Sequence, residues 1–395
     1  MQRLRSMNPD RSQPSSAAIK ARLAAIARAH GAESLRVARA VPDERTHERM
    51  RNAFARGYFT TWAYDDGYAR AASDPNAVLE GARSIVCLAF PYATREPRRT
   101  HLQGRVSNYA WSADYHDRVR AALDAVAAEL DAIAGTSVAK VACDTAPLAE
   151  RAYAAAAGLG WIGKHTNLIA PVLGSFVFLG EVLTTLELEP DAPLKKHCGT
   201  CARCIDACPT GALRGDYTID ATRCIGDLNQ RTDVIPREMR PLIGDWVWGC
   251  DLCQLACPPT AIAGNRGGAA AAPFDDVTAA PALSALLKLR SGEFKRRYSR
   301  TAMGWRGAAV LRRNAAIALG NALDRSTVAG LVEVLQEDPN ALVRGAAAWA
   351  LGRIGSPRAL AGLQAARRSE DDASVTEEID AALEPYERKD SLGSS

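Results

Sequence analysis

Cys198-Gly199-Thr200-Cys201-Ala202-Arg203-Cys204-Ile205-Asp206-Ala207-Cys208-Pro209 is the stretch from which the architecture reads outward. Three cysteines at C-x2-C-x2-C spacing, a fourth after three more residues and a proline behind it form the bacterial ferredoxin run. In that run the first three thiolates hold three corners of an iron–sulfur cube, and the fourth reaches a second cube. The pattern repeats downstream with one ligand displaced, as Cys224 and then Cys250-Asp251-Leu252-Cys253-Gln254-Leu255-Ala256-Cys257-Pro258. The same crossing rule assigns Cys198, Cys201, Cys204 and Cys257 to a first 4Fe–4S cluster, and Cys208, Cys224, Cys250 and Cys253 to a second. Paired C-x2-C motifs also build zinc ribbons, but a ribbon has no use for the third cysteine or for the two Cys-Pro endings.

Two cysteines stand apart. Cys87 lies within the apolar run Ser84–Phe90 and reads as a buried strand residue, and Cys143 is given no role. Eight thiolates need a reducing compartment, which points to the cytoplasm. Residues Met1–Ser16 are polar and basic with no apolar core of a secretory signal. The most apolar stretch, Leu168–Leu183, is interrupted by Pro171, Gly174, Gly180 and Glu181, so no membrane span is expected. The 47% hydrophobic and 24% charged shares exclude a wholly disordered chain, and 395 residues suit two or three domains.

On either side of the cysteines the pattern changes. Residues 1–16 read as a disordered leader. From 17 to 190, helices (Ala17–His30, Asp114–Ile133, Thr145–Ala157) alternate with strands (Ser84–Phe90, Val138–Cys143, Phe176–Leu188), which predicts an α/β layer domain. Residues 191–260 form the ferredoxin-like two-cluster domain, and 261–284, rich in Ala, Gly and Pro, a linker. In 285–390 the sequence Ala316-Ile317-Ala318-Leu319-Gly320 returns as Ala348-Trp349-Ala350-Leu351-Gly352, and each copy is preceded by arginine and followed by a second helix. This predicts α-helical HEAT-like repeats, too few to bury a core alone and therefore docked on the preceding domains.

The net charge is only +4, so any nucleic-acid surface must be local. Residues 285–320 hold nine basic residues (Lys288, Arg290, Lys295, Arg296, Arg297, Arg300, Arg306, Arg312 and Arg313) against Glu293, a net of +8, interleaved with Phe294, Tyr298 and Trp305. Charge runs are usually solvated faces, but this mixture suits phosphate contacts and stacking on nucleotides. Asp144 follows an apolar strand and precedes a helix. From the residues alone it is either that helix's cap, with Thr145, or an acid at a strand end.

The chain resembles epoxyqueuosine reductases, cobalamin-dependent enzymes that complete queuosine in transfer RNA. The resemblance rests on Tyr109-Ala110-Trp111 with Asp114-Tyr115-His116, on Asp144-Thr145-Ala146-Pro147 with Glu150-Arg151, and on Gly158-Leu159-Gly160-Trp161-Ile162-Gly163-Lys164. It continues through Gly174-Ser175, Leu179-Gly180-Glu181, the ferredoxin block, Gly249-Cys250-Asp251-Leu252-Cys253-Gln254 and Arg313-Asn314-Ala315 with Ala318-Leu319-Gly320-Asn321. His165 stands where the family usually has asparagine. Ser107-Asn108, Trp246-Val247-Trp248 and Pro258-Pro259-Thr260 also depart from its pattern.

The resemblance implies an α/β N-terminal cobalamin-binding domain and an epoxide reduction in which Asp144 is the general acid. That role requires a raised pKa, which burial against corrin and substrate would supply. It further implies corrin contacts from Asp144, Gly163, Lys164, Leu168, Ile225 and Asp251, the glycines allowing a flat ligand close approach. The transfer RNA anticodon stem-loop would lie on Lys295, Arg296, Arg297, Arg300, Arg312 and Arg313. An external electron donor and a monomer complete the expectation. Two rivals are a ferredoxin-type electron-transfer protein, for which the long N-terminal domain is superfluous, and a reductive dehalogenase-like cobalamin enzyme, which would lack the basic repeats.

Overall fold

The computed structural model describes residues 14–59, 61, 63–93, 96–264 and 279–392. The expected leader therefore falls mostly outside the described residues, as does 265–278 of the expected linker. Of that linker's flanks, 261–264 belong to a helix and another helix begins at Leu283.

The N-terminal part runs α1 (Ser16–Ala29), β1 (Ser34–Arg39), α2 (Glu44–Ala55), α3 (Asp66–Ser73), β2 (Ser84–Pro91), β3 (Arg105–Val106), α4 (Tyr115–Ala134), β4 (Ala139–Ala142), α5 (Glu150–Ala156), β5 (Trp161–Ile162), β6 (Leu168–Ile169) and β7 (Val177–Thr184). β1, α2 and α3 carry no signal read from the sequence. The four long strands form one sheet in the order β1-β2-β7-β4. Every neighbouring pair is antiparallel, so the expected α/β layer is instead an α+β one. Alternation of strands and helices counts elements but not directions. β2 and β4 do run the same way, but β7, arriving last, inserts between them and opposes both.

All eight residues of β2 are buried because both faces of the sheet are covered. Val86, Leu88 and Phe90 pack with α1 and α4, while Ile85, Cys87 and Ala89 pack with residues of α5. Residue parity along β7 then decides what each side chain meets, and it turns Glu181 onto the α5 face beside Cys87 and Ala142.

The cysteine region carries only short pieces: α6 (Arg203–Asp206), α7 (Ile225–Leu228), α8 (Arg240–Ile243), β8 (Trp246–Trp248), α9 (Leu252–Leu255) and α10 (Pro258–Gly264). Then follow α11 (Leu283–Leu287), α12 (Ser291–Tyr298), α13 (Ala308–Ala322), α14 (Val328–Glu337), α15 (Ala341–Ile354), α16 (Pro357–Arg367) and α17 (Ala373–Leu392). Trp246, Val247 and Trp248 share one apolar cluster with α13 and α15, so the repeats are docked on the cysteine region as a continuous core.

The repeat has a physical basis at two positions. A Cβ on Gly320 would stand 2.8 Å from Ala350 Cα, and one on Gly352 would stand 2.7 Å from Ala382 Cβ, so each glycine lets the next inner helix approach. Arg312 forks onto Asp338 (2.6 and 3.1 Å), and Arg344 forks onto Glu370 (2.8 Å twice). The second glycine, arginine and acid each stand 32 residues after the first.

Two sequence expectations are corrected here. Arg312, in its fork with Asp338, and Arg313 do not face RNA. Arg313 is 2% exposed and donates to the backbone carbonyls of Arg231 (2.8 Å) and Asp233 (2.9 Å). Arg313→Ala is expected to lower stability by about 3 kcal/mol or more, because buried carbonyls lose their donor. A urea-denaturation midpoint within error of wild type would refute this. Phe294 and Tyr298 are likewise core residues rather than stacking platforms, at the spacing that turns both inward on α12. Trp305 is 51% exposed.

Candidate active site

The cleft that matters opens where β2 and β4 end and β7 begins. Its volume is about 600 Å³, and Tyr92, Tyr115, Asp144, Glu150, Arg151, Asn167, Leu168, Ser175, Phe178 and Gln254 are among its lining residues. One wall is a stack of rings. Tyr92 lies 4.2 Å from Phe178, Phe178 4.1 Å from Tyr115, and Tyr115 4.2 Å from His116, all stacked face to face. Rings stacked this way cover one another's faces and turn their edges to the cleft.

Asp144 sits on the turn that leaves β4, with φ of 52°, a left-handed conformation unusual for any residue but glycine, asparagine or aspartate. Cys143 O accepts from Thr145 N (2.5 Å), closing the turn. Helix α5 starts only at Glu150, and its cap position is Ala149, which has no side-chain acceptor. The capping alternative for Asp144 is thereby removed.

The Asp144 side chain is 59% exposed and contacts His116 (Oδ2 to Nε2, 3.3 Å), whose Nδ1 contacts Asp114 (2.6 Å). Asp114 also caps α4, which fixes the imidazole at the cleft. The His116 hydrogen bond holds the Asp144 carboxyl below the usual carboxylate range, against the opposing effect of burial. The two carboxylates push His116 up to about 9. The raised pKa expected for Asp144 is therefore absent in this arrangement, and the proton of the pair resides on the imidazole.

Behind Asp144 are two acids whose role sequence reading missed. Glu150 Oε1 accepts from Asp144 N (2.7 Å). Glu181 is 0% exposed and neither of its oxygens has a donor within reach. The two carboxyls approach each other without closing a normal hydrogen bond. Burial raises both, Glu150 to about 7 and Glu181 well above the carboxylate range. The available signal was a single acid inside the apolar run Phe176–Leu183.

Of the residues expected to touch a corrin, Asp144 and Leu168 line the cleft and the others do not. Lys164 Nζ donates to Gly199 O (2.9 Å), bracing the loop between Cys198 and Cys201. A Cβ on Gly163 would stand 2.8 Å from Ile169 Cδ1 and 2.9 Å from His165 Cε1, so the β5–β6 hairpin itself calls for glycine there. Ile225 is buried in the apolar core. Asp251 is buried too, accepting from Ser107 Oγ (2.5 Å) and Asn108 N (2.7 Å).

The departures from the family pattern take structural parts. His165 Nδ1 accepts from Asn167 N (3.2 Å), and burial pushes the imidazole down to about 4, so it is neutral. Thr260 Oγ1 accepts from Ser175 N (3.0 Å), tying the turn before β7 to α10. Trp248 Nε1 donates to Tyr109 OH (2.9 Å).

The thiols gather in two groups. The electrostatic neighbours of Cys257 include Cys198 and Cys201, and those of Cys204 include Cys198 and Cys257. Cys250 neighbours Cys224 and Cys253, while Cys208 flanks Cys224 and Cys253. Burial and mutual repulsion raise the thiols of Cys250 and Cys253 far above their ordinary range, so their thiolates need a cation beside them. Among the described residues no three His, Cys, Asp or Glu side chains converge on a single-ion site. Gln254, next to Cys253, lines the Asp144 cleft, so the second group abuts it.

A two-cluster cysteine module beside an acid-bearing cleft defines an iron–sulfur oxidoreductase. Residues 197–260 match the 4Fe-4S double cluster binding domain, 307–384 match HEAT repeats, and 73–145 match the family described as Epoxyqueuosine reductase QueG. A curated epoxyqueuosine reductase of Bacillus anthracis is 33% identical over 376 residues, 94% of this chain and 98% of that one. The chain belongs to the epoxyqueuosine reductase family. A crystal structure of an epoxyqueuosine reductase with an epoxyqueuosine-modified tRNA-Tyr stem loop superposes with a TM-score of 0.85 at 32% identity, covering 94% and 99% of the two chains. The Bacillus subtilis enzyme, in a structure with its catalytic loop swung out of the active site, gives a TM-score of 0.86 at 32% identity over the same shares. No helix among the described residues is long and apolar enough to cross a membrane.

Proposed function

We propose that this chain reduces epoxyqueuosine to queuosine at the wobble position of transfer RNA, in the cytoplasm, with electrons from an external low-potential donor. The carrying observation is the shared cleft: Asp144 and the residue beside Cys253 line one cavity. The solved relative holding an epoxyqueuosine-modified stem loop supports the substrate. A reductive dehalogenase is not favoured, because the relatives that match over nearly the whole chain are epoxyqueuosine reductases.

The thiol groups described above would hold two 4Fe–4S clusters, Cys198, Cys201, Cys204 and Cys257 on the first and Cys208, Cys224, Cys250 and Cys253 on the second. Cobalamin is the further cofactor, with the ring stack and Leu168 as its wall in the cleft. When bound it supplies a reduced metal able to attack an epoxide carbon. The protein supplies protons and position. His116 holds one proton in its pair with Asp144, which delivers it to the opening oxygen. Residues 145–149 are irregular between β4 and α5, so the Asp144 turn is the segment on which a loop motion like that of the Bacillus subtilis enzyme would fall.

The test is direct. Anaerobic protein with a chemical one-electron reductant and an epoxyqueuosine stem-loop should yield a nucleoside lighter by one oxygen on mass analysis, and metal analysis should find about eight iron with a corrin. Recovery of intact epoxide from protein carrying both cofactors would overturn the reading.

For RNA, Lys295, Arg296, Arg297 and Arg300 remain on α12 and its end. Arg297 pairs with Glu293 (3.0 Å), while the other three side chains face solvent. Arg296→Glu with Arg300→Glu should weaken stem-loop binding and make its salt dependence shallower by about two, one for each phosphate no longer neutralised. An unchanged salt slope would place the RNA elsewhere.

A further inference from the structure

Removing an epoxide oxygen consumes two electrons and two protons. Both carbon–oxygen bonds break, two O–H bonds form, and the products are an alkene and water. The His116–Asp144 pair accounts for one proton. The second needs another donor, and the cleft contains one more acid system, Glu150 with Glu181.

Its surroundings are unusual for two carboxylates. Glu181 lies in the centre of the sheet, opposite Cys87 on β2 and Ala142 on β4. Cys87 and Cys143 face the pair as neutral thiols, both raised by burial and by these acids. Asp144 faces it from the turn, Tyr115 from α4, Tyr68 from α3 and Arg151 from α5. Arg151 is the one cation among these groups, and its Nη1 donates to Thr166 O (2.9 Å). Two ionised carboxyls in that setting would repel each other without a hydrogen-bonded counter-charge, which is the condition under which a carboxyl pair keeps one proton. Glu150 is the member that reaches out, since it lines the cleft and accepts from the backbone of Asp144.

We propose that Glu150 and Glu181 hold one proton in common and that Glu150 passes it to the cleft as the second proton of the reaction. This rests on the epoxide-reducing function proposed above. The His116–Asp144 pair gives up its proton to the oxygen as the first carbon–oxygen bond opens, and Glu150 protonates the resulting hydroxyl as it leaves as water. The two electrons come from the external one-electron donor. Both carboxyl systems end the cycle one proton short and refill from solvent, to which the cleft is open.

Glu181→Gln keeps the shape and removes the ionisation. Carboxyl infrared titration of the purified protein needs no turnover. Wild type should show a protonated carboxyl near neutral pH that titrates as the pH rises, and in the variant, where burial still raises Glu150 but its partner no longer ionises, that titration should move. In single turnover the variant should slow by roughly 10²-fold. The wild-type rate should fall as pH rises through the pair's titration, and in the variant that limb should move together with the carboxyl titration while stem-loop affinity is kept. Wild type without a protonated carboxyl at neutral pH overturns the shared proton. A slowed variant with an unchanged pH profile overturns delivery and leaves Glu181 a packing residue. If loaded wild type fails to reduce the epoxide at any pH, the functional reading and the delivery fall together, while the titration still decides whether the proton is shared.

Discussion

Asp144→Asn should lower turnover by roughly 10²–10⁴-fold, the scale of a lost general acid, with iron content and melting temperature unchanged. The substitution is unusually clean here. Asparagine accepts the left-handed backbone that residue 144 adopts at least as readily as aspartate, so the turn survives. The Glu150 bond goes to the backbone N–H and is not touched. What disappears is the acid and the charge that raises His116. The imidazole should therefore fall from about 9 toward its ordinary value, a shift visible by NMR titration without any substrate. Because the Asp144 carboxyl is held low in the wild type, the pair carries its proton across neutral pH and loses it only as the pH climbs through the His116 value. A variant with near-wild-type turnover would relieve Asp144 of the chemistry.

Cys257→Ser should abolish activity and remove the first cluster, about half of the iron, although residue 257 lies in the second cysteine block. The expectation follows from the neighbourhood of its thiol, buried beside Cys198 and Cys201. Grouping the ligands by sequence block would instead make the second cluster the casualty. Electron paramagnetic resonance of the reduced variant separates the two outcomes: loss of the second cluster's signal with the first intact would overturn the crossed arrangement.

Some of this was legible in the chain and some was not, for identifiable reasons. Cysteine spacing is a local property, and a thiolate's partners in a ferredoxin run follow from it. The repeats were legible because Gly320 and Gly352 mark the same helix crossing. Sheet direction was not, since it is decided by where β7 inserts. The basic segment misled in part because arginine serves equally to bind phosphate and to staple helices. Arg312, Arg313, Phe294 and Tyr298 went inward, and only helix geometry sorts them from Lys295, Arg296 and Arg300. Of the expected corrin contacts, Lys164 also braces a cysteine loop and Asp251 holds Ser107 and Asn108, partners far away in sequence, whereas Gly163 answers to its own hairpin. Glu181 was visible as an acid in an apolar run but acquires meaning only once Glu150 is seen across from it.

The equal spacing of glycine and arginine staples in the C-terminal helices bears on how this end of the molecule can change length. A tandem duplication of residues 321–352 would bring its own Asp338, Arg344, Ala350 and Gly352. Arg312 would still meet an acid, the first Arg344 would meet the duplicated Asp338, and the second would meet Glu370. Each glycine would again face an alanine. The chain could therefore grow by a whole hairpin with every repeat arginine still meeting an acid, at the cost of the contact between Arg240 and Glu378 of α17 (2.7 and 2.9 Å), whereas an insertion that is not a multiple of 32 residues would strand a repeat arginine. Growth in such quanta would extend the far end of the solenoid while leaving untouched the α13 face that grips the cysteine region.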